Sequence, residues 1–165
     1  MMNKSQEWSL QSIQTEINAL HHKPGALLPI LHALQDRFGF IPSEAIPLIA
    51  ESLQQTRAEV HGVISFYHHF RTTPPGRHVV QICRAEACQS VGARQLEAHA
   101  KARLGVDYHQ TTPDREITLE AVYCLGNCAC GPSIRVDDSV RGRVTPEAFD
   151  ALLDELQTRP LEVMA

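Results

Sequence analysis

The sequence predicts an α/β chain in two parts, a small helical bundle followed by a small sheet that carries helices. Three observations point there. Apolar residues recur at helical spacing up to Tyr67, the run Thr72-Thr73-Pro74-Pro75-Gly76 then blocks helix and strand alike, and beyond it β-prone runs alternate with helical stripes. The helical part is expected over residues 9–71 and the sheet-bearing part over residues 77–158. A chain of 165 residues suffices for one well-filled core with an attachment.

Residues 1 to about 8 are polar and expected to be loose. Leu10, Ile13, Ile17 and Leu20 then share one helical face, which His22-Lys23-Pro24-Gly25 ends. Leu27, Leu31, Leu34 and Phe38 make the next stripe, with Pro29 in its first turn and Gly39 as its stop. Pro42-Ser43 opens a third helix on Ile46, Ile49, Ala50 and Leu53, with Pro47 near its start. Thr56 is placed to cap a fourth, in which Val60, Val63, Ile64 and Tyr67 repeat. The aromatic run Ser65-Phe66-Tyr67-His68-His69-Phe70 is either the packed end of that helix or an interface.

After the prolines the period changes. Val79, Val80 and Ile82 form a strand that ends on Cys83. Ser90 is a candidate cap for a helix built on Ala93, Leu96, Ala100 and Leu104 and ended by Gly105. Asp107 to Glu116 is polar and turn-rich, and Ile117 to Tyr123 is a second strand that delivers Cys124. Ser133 to Asp137 and Gly142 to Val144 suggest two short strands around a turn at Asp138-Ser139. Thr145-Pro146-Glu147 then starts a helix on Phe149, Leu152, Leu153 and Leu156, and a frayed tail follows Arg159.

Bulk composition excludes several classes of function. Net charge is −4, and the cations are scattered rather than massed, so neither nucleic acid nor an anionic membrane is an expected partner. No apolar run approaches the ~20 residues that span a bilayer. The N-terminus lacks the pattern of a secretion signal, so a cytoplasmic location is expected. Most of the nine histidines read as surface or packing residues.

The chemistry lies in the five cysteines, Cys83-x4-Cys88, Cys124-x3-Cys128 and Cys130, the two pairs being separated by 35 residues. In a reducing compartment such a set argues for a metal or redox site rather than for disulfides. Thiolates suit zinc, copper(I) and iron–sulfur clusters alike. Zinc knuckles favour C-x2-C, and disulfide exchange favours C-x-x-C at a helix start; this chain has neither. A [2Fe–2S] cluster takes two thiolates per iron and accommodates wider loops, and Gly126 and Gly131 would let backbone approach it. Spacing therefore favours the two-iron cluster, with a zinc site and thiol chemistry as alternatives.

These residues carry a resemblance. Cys83-x4-Cys88 with Cys124-Leu125-Gly126-x-Cys128 resembles the thioredoxin-like [2Fe–2S] ferredoxin family, which includes subunits of respiratory complex I. Ala26-Leu27-Leu28-Pro29 and Gly62-Val63-x-Ser65-Phe66-Tyr67 resemble the helical extension of the same subunits. Within the family, Cys83-Arg84-Ala85-Glu86-Ala87-Cys88-Gln89-Ser90 and Cys124-Leu125-Gly126-Asn127-Cys128-Ala129-Cys130-Gly131-Pro132 are most similar to the branch formed by gamma subunits of NAD-dependent formate dehydrogenases. Cys130 agrees with that branch and departs from the complex I branch.

The resemblance implies a thioredoxin-like [2Fe–2S] ferredoxin domain over residues 77–158 and a cluster held by Cys83, Cys88, Cys124 and Cys128. Arg84 and Asn127 are candidates for tuning its potential. It further implies an electron-transfer subunit of a cytoplasmic NAD-dependent formate dehydrogenase, partnered by a flavin- and NADH-binding beta subunit and a molybdenum-containing alpha subunit. No catalytic acid, base or nucleophile is identifiable, nor a G-x-G-x-x-G loop. The rival readings are the equivalent subunit of complex I or of a bidirectional NAD-reducing hydrogenase, a zinc-stapled interaction module, and a thiol oxidoreductase.

Overall fold

In the computed structural model, which describes residues 8–158, the first helix begins where Ser9 can satisfy its open N–H groups. Ser9 Oγ accepts from the Ser12 N–H at 3.1 Å, and Ser12 Oγ accepts from the Ser9 N–H at 2.9 Å, a reciprocal box that starts α1 (Leu10–Leu20). The loose start and frayed tail expected from sequence lie outside the described residues, except for Trp8, which packs against the helical core. Ile13 and Ile17 are buried, whereas Leu10, at the first turn, points to solvent.

α2 (Leu27–Phe38) carries Pro29 in its first turn, where a missing N–H costs nothing, and stops at Gly39 with φ of 83°. α3 (Ala45–Leu53) begins after Pro42-Ser43 rather than at them, and it ends on Gln54 in the left-handed region. α4 (Arg57–Phe66) is capped by Thr56, whose Oγ1 accepts from the Glu59 N–H while Glu59 accepts from the Thr56 N–H. Ile13, Ile17, Ile30, Leu31, Leu34, Ile49, Val60 and Ile64 form one apolar core. The aromatic run divides: Phe70 is buried in that core, whereas Phe66 and Tyr67 are exposed.

The chain divides between Pro74 and Pro75 into two compact units. The second is a five-stranded sheet in the order β2-β3-β1-β4-β5. Its centre is β1 (His78–Cys83), which pairs in parallel with β3 (Ile117–Val122) and antiparallel with β4 (Ile134–Val136). β5 (Ser139–Arg141) closes a hairpin on β4, and β2 (Gln110–Thr111) lines the far edge of β3. The parallel pair needs a long crossover, supplied by α5 (Glu86–Ser90) and α6 (Ala93–Leu104). α7 (Pro146–Thr158) starts at Thr145, whose Oγ1 accepts from the Ala148 N–H. Val80, Ile82, Leu96, Ile117, Leu119, Ile134, Phe149 and Leu153 fill its core.

Three local expectations are corrected. Ser90 does not cap α6: it ends the separate helix α5, its Oγ donates to the Ala87 carbonyl, and Gly92 at φ of 102° makes the entry to α6. The hairpin turns at Asp137-Asp138, with Asp137 at φ of 51°, so its second strand comes three residues earlier than Gly142. The polar stretch after Asp107 also contains β2, which its composition conceals. No described helix is long and apolar enough to cross a membrane.

Candidate metal centre

The register of the parallel pair builds the site. Cys83, the last residue of β1, lies beside Val122, the last of β3, so the loops that follow both strands leave the same end of the sheet. One loop carries Cys88 and the other carries Cys124, Cys128 and Cys130.

Cys83 and Cys88 are each 2% exposed and sit with Ala93 in a small apolar cluster, against Ala85, Val122 and Leu125. The Cys83 N–H donates to the Ser133 carbonyl at 3.0 Å, which ties the end of β1 to the segment entering β4. Burial and the neighbouring Cys83 thiol push the Cys88 thiol up. Metal coordination reverses that preference, since ligand thiols are held deprotonated.

Cys124 and Cys128 face solvent. Cys124 takes φ of 116°, a strained region for a residue with a side chain, and its Sγ accepts from the Gly126 N–H at 3.4 Å. Cys128 opens a single 3-10 turn, Cys128–Cys130, and its Sγ lies 3.8 Å from Cys124 Sγ. That contact raises the Cys128 thiol, and Cys83 adds to the shift, so the two pairs lie within electrostatic reach of each other.

This arrangement can be tested against possible occupants. Two sulfurs bound at ~2.3 Å to one tetrahedral metal stand about 3.8 Å apart, which is the spacing of Cys124 and Cys128. A single zinc ion would need all four ligands to converge. Among the described residues no three His, Cys, Asp or Glu side chains meet at one point. The thiols come two by two, as a cluster with two thiolates on each iron requires.

Neighbouring polar groups are committed to the protein. Arg84 Nε donates to Glu97 at 3.0 Å, and its guanidinium stacks over Tyr108. Glu97 also accepts from Lys101, which bonds Asp107 in turn. Burial works to raise the Glu97 pKa, but Lys101 and Arg84 outweigh it and hold the carboxyl below its ordinary range. Asn127, the second tuning candidate, donates to Ser133 Oγ at 3.2 Å. Cys130 is half-buried and enters neither thiol pair; its carbonyl accepts from the Arg143 N–H at 2.7 Å and from Ser133 Oγ at 3.3 Å.

Of the two glycines singled out from sequence, only Gly131 makes a close approach: a Cβ there would stand 2.8 Å from Val91 Cγ2 and 3.4 Å from Cys88 Sγ. Gly126 has open space around it and is needed instead for its φ of 74°. Sequence reasoning missed Ser133, which is 1% exposed and binds Asn127 and Cys130. A polar residue directly after Gly131-Pro132 was its only visible signal.

Comparison with known proteins gives the family. The model of the thioredoxin-like [2Fe–2S] ferredoxin family matches residues 13–157. The chain is 34% identical over 139 residues to the NADP-reducing hydrogenase subunit HndA of Solidesulfovibrio fructosivorans, covering 84% of this chain and 81% of that one. It is 33% identical over 148 residues to a subunit of the NADH-quinone oxidoreductase of Pseudomonas aeruginosa, covering 90% and 89%. A solved NAD+-reducing [NiFe]-hydrogenase in the air-oxidized state has the same fold over 88% of the chain, at a TM-score of 0.70 and 23% identity. This chain spans 25% of that hydrogenase polypeptide. With two thiol pairs at the ends of adjacent parallel strands and a family match over most of its length, the chain belongs to the thioredoxin-like [2Fe–2S] ferredoxin family and carries that family's [2Fe–2S] cluster.

Proposed function

We propose that Cys83, Cys88, Cys124 and Cys128 hold the cluster, two thiolates to each iron, and that the chain is the electron-transfer subunit of a cytoplasmic NAD-dependent formate dehydrogenase. The observation that carries the ligand assignment is the pairing: two buried thiols, at the end of β1 and in α5, and two exposed thiols 3.8 Å apart on the loop after β3. When bound, the cluster supplies a one-electron carrier. The chain's own residues then hold and shield it. Cys83 and Cys88 fix its inner side within an apolar cluster, and the Gly126 N–H donates to Cys124 Sγ at 3.4 Å.

The enzyme assignment rests on the residues from Cys83 to Ser90 and from Cys124 to Pro132, including Cys130, which are similar to the formate dehydrogenase gamma branch. In that reading the chain exchanges electrons with the flavin of a beta subunit that binds NADH, while formate is oxidised on a molybdenum-containing alpha subunit. A second reading has its own support: the relatives above are subunits of a hydrogenase and of NADH-quinone oxidoreductase. Both readings make the chain one subunit of a multi-subunit oxidoreductase, and they differ in its partner.

Two measurements test this. The purified chain should be brown and contain about two irons and two acid-labile sulfides; a colourless protein loaded with zinc sinks the cluster assignment and leaves a zinc-stapled module. Tagged chain isolated from its host should bring down a molybdenum protein together with a flavoprotein. Recovery of quinone-reducing membrane subunits or of a nickel–iron protein overturns the formate dehydrogenase assignment in favour of the second reading.

A further inference from the structure

The exposed thiol pair is held from a place remote in sequence. Cys128 has no apolar cluster around it, so its position depends on the backbone turn that carries it. That turn is covered by the connection between β5 and α7. A Cβ built on Gly142 would stand 2.6 Å from Cys130 O, 2.7 Å from Cys130 Cβ and 2.6 Å from Asn127 Nδ2. Asn127 could swing away, but a backbone carbonyl cannot move without its turn. The backbone of Gly142 lies outside the left-handed region, so an alanine could adopt its conformation. Glycine is needed here for space alone.

The contact is latched on either side. The Arg143 N–H donates to Cys130 O at 2.7 Å, and the Val144 N–H donates to Pro132 O at 3.0 Å. At the end of the same loop Gly131 lies against Val91 and Cys88. The segment from Asn127 to Gly131 is therefore gripped between residues 142–144 and the first thiol loop.

Resting on the ligand assignment above, we propose that Gly142 is a positioning residue for the cluster: it lets its connection lie directly on the Asn127–Cys130 turn and so holds Cys128 Sγ 3.8 Å from Cys124 Sγ, the spacing of two thiolates on one metal. The residue touches no thiol pair and acts only through the turn. Replacing it by alanine displaces the turn and spreads the exposed ligand pair.

Gly76 provides a matched control. A Cβ there would be 2.9 Å from both Arg115 O and Ile117 N, again too close to backbone though less tightly than at Gly142, and its φ also lies outside the left-handed region. It lies two residues before β1, against the start of β3, at the end of the parallel pair away from the thiols.

The experiment compares full-length wild type, Gly142→Ala and Gly76→Ala, each with its cluster. The readouts are visible circular dichroism, the electron paramagnetic resonance of the reduced protein, and iron release to a chelator. Gly142→Ala is expected to alter both spectra and release iron several-fold faster, while Gly76→Ala lowers the melting temperature and leaves the spectra unchanged. Unaltered spectra and release in Gly142→Ala, or equal changes in both variants, overturn the proposal. A wild-type chain without iron and sulfide overturns the cluster reading instead.

If Gly142→Ala does not fold, amide exchange in the wild type decides. Removing the cluster should speed exchange at Arg143 more than at Arg77, whose N–H donates to Arg115 O at the far end of the sheet. Equal change at both sites, or no change, overturns the proposal.

Discussion

At the scale of single residues, the five cysteines are separated by environment as much as by position. Cys83 and Cys88 are enclosed, Cys124 and Cys128 face solvent, and Cys130 commits its carbonyl to Arg143 while its thiol joins neither pair. Cys83→Ser or Cys124→Ser should therefore lose or badly weaken the cluster, read as loss of the visible absorption and of iron. Cys130→Ser should keep both; cluster loss in that variant alone would overturn the ligand assignment. Beside Cys83, the Arg84–Glu97–Lys101 network gives a pH prediction. The Glu97 carboxyl is held below its ordinary value, so its contribution is fully present above about pH 4.3 and is lost as pH falls through the lower folded value. Glu97→Gln should cost about 1 kcal/mol near neutral pH and flatten the acid limb of a melting-temperature profile. Flattening will be partial, because Asp114, bonded by Thr112, and Glu147, at the start of α7, are also held low. An unchanged acid limb would show that Glu97 contributes nothing to it.

At the scale of elements, stability in the helical unit rests on a few polar closures around an apolar core. Gln35, 5% exposed, donates to the His69 carbonyl and accepts from the Arg71 N–H, both at 2.7 Å, and so ties α2 to the chain leaving α4. Gln35→Ala removes both bonds from a part-buried site and should lower stability by about 2 kcal/mol, measured as a shift in denaturant midpoint, with faster amide exchange at Phe70. Thr56→Ala, which opens the capping box of α4, should cost about 1 kcal/mol in the same assay. These closures explain which elements were legible in the sequence. Thr56 as a cap, Gly39 after Phe38 and the stripes of α2 and α7 are local signals that the structure uses as read, whereas the α4 stripe holds at Val60 and Ile64 and loses Tyr67, which is exposed beyond the end of the helix. β2 is two residues long and polar, and it exists only because β3 offers an edge. Ser90 looks like a cap because capping residues are recognised by type, but Gly92 makes the turn that α6 needs. The positions of the thiols were legible through the strands that precede them. The grip on their second loop was not, because the crowding at Gly142 comes from residues 12 to 15 positions earlier, with no periodicity to reveal it.

At the scale of the whole chain, the two units have separate cores, and all five cysteines belong to the second. A ligand that binds only folded protein stabilises the unit that holds it, and a metal site couples its binding energy to the folding of its ligand loops. With the proposed ligands, the cluster would bridge the segment leaving β1, the central strand, and the loop leaving its parallel neighbour β3. Its removal should therefore be felt first in those strands. Exchange of amides in β1 and β3, such as Val80 and Leu119, is expected to quicken when iron is chelated, while amides of α2 and α4, such as Leu34 and Ile64, keep their rates. Mass spectrometry of amide exchange with and without chelator checks this over both units at once. Equal acceleration in α2 and α4 would mean that the helical unit depends on the cluster for its stability, and that the helical core does not stand on the Ile, Leu and Phe packing alone.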